Sequence, residues 1–170
     1  MERRALALVA VAVAAAALAA GAHGATEASR TTAGWPALRT AGPFLLSEIR
    51  EKVQGRWGLA WQSLYPTHRA VAPRAAFVLC ESQTPLQLPL KSIHVAHVHR
   101  AAVHVPGLAQ PVAGVAVTIE IAVQGYGPRD AIDFAYTFHL VPVEGRWTWL
   151  LSAARYKLYR DDACGDIAAA

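Results

Sequence analysis

Four histidines fall within eleven residues of the stretch KSIHVAHVHRAAVHV: His94, His97, His99 and His104. Imidazole binds zinc or copper and also titrates near neutral pH, so the cluster suits either a metal centre or a pH-responsive surface. In an ideal strand His97 and His99 share a face, about 6.6 Å apart, with His94 and His104 opposite. Their parity matches Ile93, Val95, Val103 and Val105, which points them inward. Val98 breaks that phase, and a bulge near Ala96 would turn both outward. A metal needs a third donor, for which His139, Glu120 and Asp133 are the candidates. Only the bulged register puts His97, His99 and Glu120 on one face, and that face is solvated. No HxxxH helix pair or tight Cys/His spacing supports them. The expectation is no metal and no cofactor, with a patch that gains positive charge below about pH 6.5.

Acid–base chemistry in an apolar pocket is the second option. Tyr136 has the inward phase, and His97 or His99 would be its partner. The carboxylates do not assist: Glu120 and Asp133 fall on the wetter parity, and Asp130 sits in a turn. Cys80 and Cys164 are the only cysteines. In an oxidising compartment two such residues are expected to pair, closing a loop of more than 80 residues. The other reading is a reactive thiol at Cys80, but no CxxC or neighbouring histidine is there to activate it.

The elements that position these residues change period halfway along the chain. Trp57, Ala60, Trp61, Leu64 and Tyr65 recur at i, i+3, i+4, i+7 and i+8, one apolar stripe of a helix that Pro66 stops. Thr67 can cap a short turn. Pro73 suits the start of a further helix carrying Ala76, Phe77 and Cys80. Ser47 is read as the cap of an earlier helix through Glu48, Ile49 and Val53. Beyond the proline-bearing loop SQTPLQLPL the period becomes two. Lys91–Val105 is β-rich but irregular. Val115, Val117, Ile119, Ile121 and Val123 share one face of Val112–Val123. Ile132, Phe134, Tyr136, Phe138 and Leu140 do the same in Ala131–Val141. Glu144-Gly145 makes a tight hairpin into Arg146–Leu151. Helices first and strands after predict an α+β domain, with N-terminal helices packed on a curled four-stranded antiparallel sheet shaped like a cone.

The chain has 170 residues, 54% of them apolar and 16% charged, enough for one domain with a core. Its net charge of +4 is dispersed, which argues against nucleic acid as a partner. Glu2-Arg3-Arg4, the uncharged run Ala5–Ala20, and the small-residue sites Ala20-Gly21-Ala22 and Ala22-His23-Gly24 read as a signal peptide over 1–24. The sixteen-residue run reaches only about 24 Å, short of a bilayer core, so no stable membrane span is expected after cleavage. Residues 25–42 read as a flexible tether from which Trp35 and Leu38 can latch onto the domain, and 43–170 as the single domain.

Element order over Ser47–Gly165, with the stretches LYPTHRAVAPRAAFVLCE and GRWTWLLSAARYKLY, resembles the nuclear transport factor 2-like, or cystatin-like cone, superfamily. The stretches are similar to those of small exported bacterial members without assigned activity. The resemblance implies helices closing over a bent sheet, a pocket between them, and homodimers formed through the free face of the sheet. It also implies that an enzymatic version would be an isomerase or dehydratase, here with Tyr136 and His97 or His99. The favoured reading is an exported, non-catalytic module that binds a small apolar ligand or a protein partner.

Overall fold

The computed structural model describes residues 34–83, 89–125, 127 and 131–163. The expected signal peptide, residues 25–33 of the expected tether, Asp130 and Cys164 lie outside them.

The first helix, α1 (Ala41–Val53), follows a 3₁₀ turn at Leu38–Thr40. It begins before Ser47, which therefore lies mid-helix and is not a cap. Pro43 permits this, because a first-turn residue has no intrahelical use for its N–H. Residues 35–42 belong to the domain rather than to a tether. Trp35 meets Trp147 edge-on at 6.1 Å, and the Arg100 guanidinium lies 5.1 Å from the Trp35 ring. Trp147 Nε1 donates to Thr40 Oγ1 at 2.9 Å, and Ala41 is fully buried.

Three short helices follow: α2 (Trp57–Gln62), α3 (Pro66–Val71) and α4 (Arg74–Ser82). Of the expected stripe, Ala60 and Leu64 are fully buried while Trp57 and Trp61 are partly so. The helix stops at Gln62 because Leu64 leaves it to bridge Trp149 in parallel beside the sheet. Trp149 N donates to Ser63 O, and Tyr65 N to Trp149 O. Pro66 then opens α3 as its first residue, which leaves Thr67 inside that helix instead of capping it.

The sheet has the order β1-β2-β3-β4, all antiparallel, from β1 (Leu90–Val103), β2 (Val112–Gln124), β3 (Ala131–Val143) and β4 (Arg146–Trp149). Val115, Val117, Ile119 and Leu140 form the buried face beneath the helices. A smaller cluster of Val103, Val105 and Val141 fills one end of the other face. The hairpin at Glu144-Gly145 puts both residues at positive φ, 50° and 74°, as a two-residue turn of this hand requires. The last helix, α5 (Ala153–Arg160), is capped by Ser152, whose side chain accepts from Arg155 N. Among the described residues no helix is long and apolar enough to cross a membrane.

The sheet is not strongly curled, in contrast to the expected cone. The edge strand β4 is also shorter than expected. It has four residues instead of the expected six and pairs only with Leu140–Val143. Among the described residues, the stretch Ala131–His139 thus has β2 on one side and no strand on the other. Phe134 and Tyr136, expected in the core, are 39% and 54% exposed.

Candidate functional site

The buried stripe of α1 runs Ala41, Leu45, Glu48, and its continuation at i+4 is Lys52. A helix that buries this face carries Glu48 under the protein surface and Lys52 half-buried beyond it. Lys52 lines a cleft of about 360 Å³ whose walls include Ile49, Trp57, Phe138, Trp149 and Leu151. Lys52 Nζ sits 3.3 Å from the centroid of the Trp149 ring, a cation–π contact. Trp149 is itself fixed by its indole N–H, which donates to Ala60 O at 2.8 Å. Among the described residues Lys52 has no carboxylate in ion-pair range and no hydrogen-bond acceptor. Burial pushes its ammonium down to about 8, with Glu81 and Glu48 pulling the other way. Glu48 is pushed up by burial and held partly down by a hydrogen bond from Ser63. Its Oε2 is buried without a partner.

Glu81 and Arg155 complete the polar part of the cleft. Glu81 Oε1 accepts from Arg155 Nη1 and from the Tyr159 hydroxyl, which ties α4 to α5. Burial, and then the Glu81 charge, push the Tyr159 phenol well above its usual range, so it remains a neutral donor. Arg155 and Glu81 thus neutralise each other, and among the described residues of the cleft Lys52 is the cation without a carboxylate partner. The geometry suits an acceptor-bearing, anionic head held on an aromatic and aliphatic floor.

The histidines lie elsewhere. A register shift falls between Val95 and His97, so Ala96 is the bulged residue. Beyond it His97 pairs with Thr118 and His99 with Ala116, while His94 before it pairs with Glu120. All three therefore share the outer face of the sheet, with His139 opposite Ala116 on β3. The His97 and His99 rings lie 5.1 Å apart and are exposed. Glu120 is engaged by His94, Nε2 to Oε2 at 2.8 Å, above an open depression that also contains Asp133. Both side chains of that pair are more than half exposed, so the contact contributes little.

Tyr136 pairs with Ile119 and projects from the helix-side face. The structure therefore does not bring Tyr136 together with His97 or His99; the sheet separates them. One histidine outside the cluster is deeply placed. His68 is 0% exposed, its Nε2 lies 3.0 Å from Pro106 O, and its Nδ1 accepts from Leu151 N at 3.0 Å. Those partners require the neutral Nε2–H tautomer, and burial lowers its proton affinity.

Comparison of the chain with protein-family models returns no match, and neither does comparison with curated proteins.

Proposed function

We propose that this is an exported, non-catalytic binding domain of the nuclear transport factor 2-like plan, whose ligand is a small apolar molecule with one anionic head. The α+β order, helices first and an antiparallel sheet after, supports the family reading. The observation that carries the functional reading is Lys52: an ammonium on the face of Trp149, without an anion, at the polar end of an apolar cleft. A ligand carboxylate would take up its donors, and the hydrocarbon body would cover Phe138, Trp57 and Leu151.

Decanoate and decanol serve as probes of equal length, with binding followed by calorimetry and by quenching of the cleft tryptophans. Decanoate is expected to bind more tightly than decanol. Lys52→Met, which keeps the stem, should weaken decanoate by about 10–100-fold, the worth of one charged hydrogen bond, and leave decanol unchanged. Because Lys52 titrates at about 8, decanoate affinity should fall as pH rises through that value. Equal binding of the two probes, or no effect of Lys52→Met, overturns the reading.

A further inference from the structure

The two outer edges of the sheet differ. The β1 edge is interrupted by register shifts at Leu90/Ser92 and Val95/His97 and carries Lys91 and Arg100, features that discourage strand addition. The β3 edge over Ala131–His139 has no register shift against β2, no proline and no lysine or arginine. Its helix-side face presents Ile132, Phe134, Tyr136 and Phe138 in alternation, with neighbouring rings 6.3 and 6.4 Å apart. Such an edge is a template for pairing unless something occupies it. The Thr137 hydroxyl is 2.9 Å from the Thr118 hydroxyl on the outer face, a bond that leaves the backbone edge itself untouched.

We propose that the occupant is the same edge of a second copy of this chain, paired antiparallel about a two-fold axis at Ala135. The argument is self-complementarity. The midpoint of 131–139 is Ala135, and only that register pairs all nine residues. It places Phe134 against the partner's Tyr136 and Ile132 against the partner's Phe138, so the aromatic row continues across the junction. Asp133 meets the partner's Thr137, and no like charges face each other. Moving the axis to Asp133 would oppose two carboxylates. Moving it to Thr137 would run into Leu140–Val143, which β4 already occupies. Nine paired residues supply roughly eight to ten backbone hydrogen bonds, the number in a standard interface. The assembly is an eight-stranded sheet joined edge to edge. It leaves the histidine-bearing outer face free, unlike a dimer formed through that face.

The test uses the full mature chain. Sedimentation equilibrium at about 50 μM should give the dimer mass, a concentration typical of interfaces of this size. Phe134→Lys combined with Tyr136→Lys should give a monomer with an unchanged circular dichroism spectrum, because both side chains are already exposed. Direct antiparallel partners have Cα atoms about 4.5–5.5 Å apart, within disulfide range. Ala135→Cys should therefore yield a covalent dimer on mild oxidation, and Thr118→Cys, at the centre of the outer face, should not. A monomeric wild type, or a dimer that crosslinks at Thr118 and survives the double lysine variant, overturns the proposal.

Discussion

His68 shows how a buried imidazole can serve structure alone. Its two ring nitrogens hold Pro106 O and Leu151 N–H, and the rings of Tyr65 and Tyr156 pack at 5.7 and 5.0 Å. Its folded proton affinity lies below the ordinary histidine value near 6.5. The unfolded chain therefore binds a proton that the native state refuses as pH drops below about 6.5. Stability should be highest above that pH and should fall through the window beneath it. His68→Ala removes both partners' bonds and is expected to cost about 2–5 kcal/mol at pH 7.5 in urea denaturation. The difference between wild-type and variant profiles should shrink as pH falls from 7.5 to 5.5. A constant difference would mean that His68 titrates normally. The residues of the cleft were harder to read. With the first helix started at Ser47, Glu48 and Lys52 look like ordinary surface charges. Only the stripe from Ala41 through Leu45 puts them on the buried side, and that stripe requires a helix running through Pro43.

At the scale of elements the alternating strands were legible, because period-two hydrophobicity in β2 and β3 fixes which residues share a face. Their environment was not, since the exposure of Phe134 and Tyr136 follows from the shortness of β4, a tertiary fact. The direction of the histidines turned on one inserted residue at Ala96. The broken parity at Val98 was the visible trace of that bulge, which brings His94, His97 and His99 onto the outer face. Sheet packing makes a further demand at Gly114, which pairs with Ala101 on β1. A Cβ there would lie 2.5 Å from Leu140 O and 2.7 Å from Val103 Cγ2. The first neighbour is backbone and cannot rotate away. Gly114→Ala should lower stability by about 1–3 kcal/mol through overpacking, seen as a lower urea midpoint with an unchanged slope. An unchanged midpoint would show that β2 and β3 separate easily at this point.

The whole molecule depends on how its helical layer and its C-terminus are joined. Phe77 of α4 stacks on Tyr159 of α5 at 6.0 Å, and the Glu81 carboxylate accepts from Tyr159 and Arg155. Cys80 lies between Phe77 and Glu81 on the same helix and is fully buried. Ala163 follows α5, and its N–H donates to Leu158 O at 2.9 Å. Export and an oxidising destination, if the 1–24 segment acts as a signal, would then favour a Cys80–Cys164 bond enclosing the whole sheet. The chain-entropy gain for a loop of more than 80 residues is about 4.5 kcal/mol, comparable with the entire stability of a marginal domain. Peptide mapping of exported protein without reductant should recover the two cysteines as one linked pair. Material retained in a reducing cytoplasm should unfold at lower urea by a corresponding amount. Recovery of both as free thiols from exported protein would leave the clasp to noncovalent contacts such as those between α4 and α5. Stability would then be insensitive to reductant.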